Sequence, residues 1–332
     1  MSVATTASDQ TALPSADEAL DASGEQRPLF GIMLKIVSVS SFMVMSACIK
    51  ASGQVPTGQI VFYRSFFAVI PIVLLLLWQK ELRTAFHTKH PLSHVLRGVV
   101  GVSSMMLGFF GLTRLPLPDA ITLNYAQPLL VVVFSAIFLR EVVRFYRWSA
   151  VAVGFAGVVI IAWPNLTLLR GSGLAADQAL GVIATLMAAT LSAVAVLLVR
   201  RLVMTEKTPT IVLWFSVTAA VVGLCTLPFG WAPLSLMQTL FLVTAGLAGG
   251  VGQILMTQCY RYAPLSTIAP FEYTSIILAI VVGFFAFGDV PTPYMLSGGA
   301  IVVGAGLFIM WREHQLGLKR IAARQFVRPG GV

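Results

Sequence analysis

A chain that repeats itself inside membrane-length apolar segments has few folds open to it. Residues from about 100 to 163 recur 148 positions later without a gap. Gly101 falls on Gly249, Pro116-Leu117 on Pro264-Leu265, Tyr125 on Tyr273, Val142 on Val290, Tyr146 on Tyr294, Ser149 on Ser297 and Trp163 on Trp311. Glu141 meets Asp289 in the same register. Membrane packing favours Gly, Leu and Val anywhere, but Pro-Leu, two tyrosines, a tryptophan and an acid in one register read as a duplication.

Composition names the solvent. Hydrophobic residues make up 57% of the chain and charged residues 11%, against about 25% charged in a soluble domain. Ten apolar stretches are long enough to cross a hydrocarbon core of about 30 Å. They lie near 30–49, 58–78, 96–113, 120–139, 148–163, 179–199, 209–229, 235–257, 265–287 and 294–311. Five spans per half is an odd number, so the second half enters the membrane from the opposite side. The expected fold is an all-α integral membrane protein of ten transmembrane helices, built as two inverted five-helix repeats at 29–164 and 178–312. A polar stretch at 1–28 reads as a disordered cytoplasmic tail and 313–332 as a basic cytoplasmic tail.

The net charge of +9 follows the same topology, because Lys and Arg collect in short cytoplasmic loops. With the N-terminus inside, the inner links hold Lys80, Arg83, Lys89, Arg97, Arg140, Arg144, Arg147, Arg200, Arg201, Lys207 and Arg261, and the tail adds Arg312, Lys319, Arg320, Arg324 and Arg328. Only Lys50, Arg114 and Arg170 fall outside. The charge is therefore topological and gives no reason to expect nucleic acid as a partner. A cytoplasmic (inner) membrane protein with both termini inside is expected, its partners the lipid bilayer and a small-molecule solute.

Inverted repeats place a solute site near the midplane at the junction of the halves and permit alternating access. At this point the sequence resembles the drug/metabolite transporter superfamily, in its ten-helix group of two EamA-type repeats, over about residues 30 to 312. The resemblance is carried by RGVVGVSSMMLGFFG (Arg97 to Gly111), by LTRLPLPDAITLNYAQPLLVVVFSAIFLRE (Leu112 to Glu141) and by the second-half echo from Tyr260 to Asp289. Pro128 and Glu141 keep that family's pattern of a mid-span proline and a terminal acid. The second half has Pro270 earlier and Asp289 in place of Glu. The resemblance implies a transporter of amino acids or amines, drugs, S-adenosylmethionine, riboflavin or related metabolites, with uptake or export left open.

Ionisable groups at membrane depth cost about 2.5–3.5 kcal/mol on insertion scales, so each is a candidate. Glu272 lies a short way into the ninth span beside Tyr273, and its repeat mate is Asn124 beside Tyr125. The two pairs are expected on symmetry-related faces of one cavity, with Glu272 binding an ammonium, carrying a proton or serving as a structural carboxylate. Arg64 in the second span is suited to a substrate carboxylate or phosphate, or to pairing with Asp119. Tyr63, Gln127, Trp214, Gln253 and Gln258 complete the candidate pocket. Lys35 is read as snorkelling to the cytoplasmic surface and Lys50 as an interface anchor. Glu141 and Asp289 read as caps or surface salt bridges, and Gly246, Gly249, Gly250 and Gly252 as a close-packing face.

No metal site and no cofactor are expected. Pro91 separates His94 from His87 and His90, no acid or Cys completes a set, and all four histidines are placed outside the spans. Cys48, Cys225 and Cys259 have no metal or redox spacing and read as small apolar filler. A membrane-embedded enzyme, the rival class with a scaffold, would need a zinc-helix, Asp-rich or Ser-His constellation, and none is written here. No phosphate-binding glycine loop occurs, so transport is expected from proton coupling, exchange or the solute's own gradient. The residues specify neither the coupling ion nor an oligomeric state.

Overall fold

In the computed structural model, residues 28–80, 82–85, 88, 91–138, 145–167, 174–203, 206, 208–262 and 268–327 are described. Of the expected tail at 1–28, residues 1–27 lie outside the described residues, as do Glu141, His87, His90 and Lys89, and Pro28 opens the first helix. Among the described residues every regular element is helical. The main helices are α1 (Pro28–Ala51), α2 (Thr57–Trp78), α3 (Pro91–Leu112), α4 (Leu117–Phe138), α5 (Phe145–Thr167), α6 (Leu174–Val203), α7 (Thr208–Leu224), α8 (Leu236–Tyr262), α9 (Phe271–Phe287) and α10 (Pro293–Val327). Nine of them are long and apolar enough to cross a membrane, and α9 is a shorter apolar helix. This is the ten-helix membrane protein expected from the apolar segments. In lipid a spanning segment must satisfy its own backbone, and helices do so internally.

The packing is pairwise. The closest partners are α1 with α8, α3 with α6, α5 with α10, α2 with α8 and α2 with α7, followed by α4 with α6 and α3 with α7. Exchanging the first five helices for the last five turns the α1–α8 contact into α6–α3, turns α2–α8 into α7–α3, and leaves α2–α7 and α5–α10 as they are. Glycines mark these close approaches, as expected where lipid offers no hydrophobic drive and contact depends on fit. A Cβ at Gly246 would meet Phe67 at 2.5 Å and the Tyr63 carbonyl at 3.0 Å, and one at Gly250 would meet Pro71 at 2.5 Å. The glycine face of α8 therefore packs on α2, while Gly249 lies against Met45 and Arg64 and Gly252 against Phe42.

Helices α4 and α9 are both discontinuous. The first is divided at Tyr125 into Leu117–Asn124 and Ala126–Phe138. Pro128 has no N–H to give the Asn124 carbonyl, so the break precedes it by one turn. The second begins inside a 3-10 turn, Ala269–Tyr273, in which Pro270 just precedes α9, and becomes α-helical only at Thr274–Val282 before a π turn at Gly283–Phe287. The two breaks fall at Tyr125 and Tyr273, which share one position in the repeat.

Candidate functional site

The two breaks meet at the wall of one cavity of about 570 Å³ bounded by α1, α4, α6, α8, α9 and α10, a size usual for small-molecule sites. Five of the residues singled out from the sequence line it: Asn124, Tyr125, Gln127, Glu272 and Tyr273. The Tyr125 and Tyr273 rings stack on one another, and the Tyr125 hydroxyl donates to the Glu272 carbonyl at 2.7 Å while lying 2.6 Å from the Ser275 hydroxyl. These bonds tie α4 to the 3-10 start of α9. The remaining wall is mainly apolar, with Phe42, Met43, Met256 and Met310 prominent.

Lys35 does not snorkel. Its Nζ lies 2.6 Å from Glu272 Oε2, and its side chain is 1% exposed while that of Glu272 is 49% exposed. The reason is tertiary: α9 brings a carboxylate to α1 at membrane depth, and a buried ammonium is retained by an anion within reach. The two residues lie 237 positions apart, and no local spacing in the sequence links them.

Arg64, Tyr63, Trp214, Gln253 and Gln258 do not line this cavity. Arg64 is 7% exposed on α2, held over Gly249, with its buried Nε lacking a hydrogen-bond partner. No ion pair joins it to Asp119 among the described residues; Asp119 sits in the first turn of α4, near the Lys50 and Asp289 charges. Tyr63 packs in an aromatic group with Phe62, Phe67 and Trp231. Trp214 stacks on His94 with centroids 5.6 Å apart, and Arg97 lies over the Phe215 ring at 3.9 Å. His94 thus lies within α3, a span-length helix, and is buried there, which corrects its placement outside the spans. Gln253 and Gln258 occupy α8 away from the cavity wall. Among the described residues no group of three potential metal ligands forms.

A second charged cluster lies at the other end of α1. Lys50 Nζ donates to the Leu115 carbonyl at 2.5 Å and sits 3.3 Å from Asp289 Oδ2 and 5.4 Å from the Phe287 ring centroid. Asp289 also accepts from the Leu117 backbone N–H at 2.8 Å. Lys50 is therefore a tertiary bond between α1, the α3–α4 link and the end of α9, not an interface anchor, and Asp289 is salt-bridged. Fifteen residues separate Lys35 from Lys50, about 22 Å along a helix, so the two clusters bracket the cavity.

Comparisons with known proteins agree with this architecture. The model of the EamA-like transporter family matches residues 29–163. A riboflavin transporter from Rhizobium johnstonii is 31% identical over 231 residues, covering 69% of this chain and 73% of that protein. An S-adenosylmethionine uptake transporter from Rickettsia bellii is 24% identical over 87% of this chain and 95% of its own length. A pseudopaline exporter from Pseudomonas aeruginosa is 26% identical over 83% and 94%. A solved crystal structure with 19% identity aligns with a TM-score of 0.60 over 86% of this chain and 98% of that one, a likeness of fold.

Proposed function

We propose, because this chain belongs to the EamA-like transporter family, that the cavity between the broken helices is its transport chamber and that Glu272 acts there on the solute or its coupling. The protein is a multi-pass membrane transporter of a small metabolite. In our reading it lies in a cytoplasmic membrane with both termini on the cytoplasmic face, a placement supported by its Lys and Arg bias. It consists of two inverted repeats, 29–164 and 178–312, a division supported by the exchange of helix pairs and by the matched breaks in α4 and α9.

The observation that carries the mechanism is the contrast between the cavity's two ends. At one end Glu272 is half exposed beside Lys35; at the other Lys50, Asp289, Leu115 and Leu117 are bonded together. In this reading the chamber is reached from the Glu272 end and shut at the Lys50 end, a state supported by the exposure of Glu272 and the bonding around Lys50. Breaking the Lys50 cluster while α1 and α9 close over Glu272 yields the opposite state. The wall suits an amphipathic organic solute, with aromatic and methionine surface for its apolar part and charges for its polar part. Solutes like those of the relatives, S-adenosylmethionine and riboflavin among them, meet that description, and transport runs on exchange, a proton or the solute gradient.

The test is a thermal-shift screen of purified wild type and Glu272→Gln against amino acids, polyamines, S-adenosylmethionine and flavins at two pH values. A solute that stabilises the wild type and fails on the variant is the expected result. Equal stabilisation of both proteins removes Glu272 from the solute site, and a bound solute unaffected by substitutions anywhere on the cavity wall overturns the chamber.

A further inference from the structure

Two arginines stand apart from the chamber. Arg64 on α2 is 7% exposed, and Arg97 on α3 has its Nε and Nη1 withdrawn from solvent. We infer that they form a binding site for a small inorganic anion of the halide class, at the junction of α2, α3, α7 and α8 and separate from the chamber.

Donors outnumber acceptors at this junction. Arg64 Nε, Arg97 Nε and Nη1 and Trp214 Nε1 are buried N–H groups without a hydrogen-bond partner, and so is the Ser65 hydroxyl next to Arg64. A guanidinium and an indole can only donate, so these groups call for an acceptor. The helices around them cannot supply a carboxylate, because α1, α2, α3, α7 and α8 contain no Asp or Glu. Among the described residues, the ion-paired carboxylates Glu272, Asp289 and Asp177 are held by Lys35, Lys50 and Arg114. Arg97 also stands within the field of the Arg64 charge. Two like charges at membrane depth without a counter-charge are the costly case, and one bound anion answers both.

The geometry gathers the two guanidiniums over equivalent glycines. Arg64 Nε lies 3.3 Å from where a Cβ at Gly249 would stand, and Arg97 Nη1 lies 3.3 Å from the same point at Gly101. Gly101 and Gly249 are repeat mates. The face of the Arg97 guanidinium is covered by the Phe215 ring at 3.9 Å, which leaves its N–H edge to bind in the plane. Met45, a chamber residue, has its sulfur 2.8 Å from the Gly249 point, so Arg64 lies behind the chamber wall. Gly98 meets Thr218 and Gly223 meets Phe62 at side-chain contact or closer. Backbones drawn together in this way suit an anion of atomic size better than an oxyanion or an organic solute.

The test uses the full-length protein in detergent with potassium gluconate, replaced stepwise by potassium chloride or bromide at constant ionic strength, and reads the melting temperature. The expected result is a rise of about 2–4 °C that saturates with halide concentration, as for an ion that binds the folded state at one site. Arg64→Gln and Arg97→Gln should each lose the rise. Because it removes one of two like charges, Arg97→Gln should melt no lower than wild type in gluconate yet below it in chloride, a crossing that a merely structural arginine would not give. Arg114→Gln, which alters an arginine already paired with Asp177, should keep the rise. A melting temperature indifferent to halide overturns the inference, as does a rise that survives both Arg64→Gln and Arg97→Gln. A rise produced by sulfate and not by halide, and lost in the same two variants, overturns the halide class and assigns the arginines to an oxyanion.

Discussion

Tyr125 and Tyr273, which occupy the same position in the two halves of the chain, stack with ring centroids 4.9 Å apart and planes inclined by 28°. The contact is between repeat mates, yet the two residues are not equivalent. Tyr125 is buried and its hydroxyl donates to the Glu272 carbonyl. Tyr273 is partly exposed to the cavity, and its hydroxyl lies where a Cβ at Gly306 would be. Both rings line the cavity, and Tyr125 alone also ties α4 to α9 through its hydroxyl.

The crowding at Gly306 predicts a rescue. Gly306→Ala pushes the Tyr273 ring out of its stack and should lower transport about tenfold, the scale at which a slight misplacement in a site is felt. Tyr273→Phe removes the clashing hydroxyl and should recover part of that loss in the double variant. Transport assays on the four-protein cycle check this, and strictly additive losses count against it.

Removing either member of the Lys35–Glu272 pair should have unequal effects on stability. Glu272→Gln takes a carboxylate from a buried ammonium, whereas Lys35→Met leaves a carboxylate that solvent already reaches. The first should be the more destabilising, by about 1–2 kcal/mol, a discount on the 3–5 kcal/mol of a fully buried pair. Thermal unfolding of both variants in the same detergent decides it.

Glycine substitutions on the helix contacts should separate sharply. Gly246→Ala and Gly250→Ala bring a methyl against α2, where backbone carbonyls as well as side chains stand within 3.0 Å, and each should cost about 1–3 kcal/mol. Gly304→Ala meets nothing within 4 Å and should be neutral or gain about 0.5–1 kcal/mol from helix propensity. A denaturation series comparing the three reads this out.

Weakening the Lys50 cluster should open the shut end. Asp289→Asn removes the charge that Lys50 approaches and weakens the bond to the Leu117 N–H. In a background without the native cysteines, a cysteine at Ile121 on the cavity wall should then react several-fold faster with a charged thiol reagent applied from the Lys50 side, as expected when one closed state is destabilised by about 1 kcal/mol. An unchanged rate would leave the cluster as a static brace.

Sidedness has its own check. Gln54 and Lys80 are exposed at opposite ends of α2, so Gln54→Cys should label from outside intact cells and Lys80→Cys only after permeabilisation. Labelling of both from one side would contradict the helix itself, and the reverse pattern would invert the proposed orientation.

The sequence alone determined the number of spans and marked the polar pairs that line the cavity. Spans are legible because a bilayer demands about 20 apolar residues per crossing, and Asn124-Tyr125 and Glu272-Tyr273 are legible because polar pairs stand out against that background. What only the tertiary structure decided was which way each helix faces. In water an amphipathic stripe reveals the buried face of a helix; in lipid both faces are apolar, so Arg64, Tyr63, Trp214, Gln253 and Gln258 carry no mark of their rotation, and the structure turns them away from the chamber. The same blindness hid the bond between Lys35 and Glu272, since an ion pair across 237 residues exists only once α1 and α9 have packed side by side.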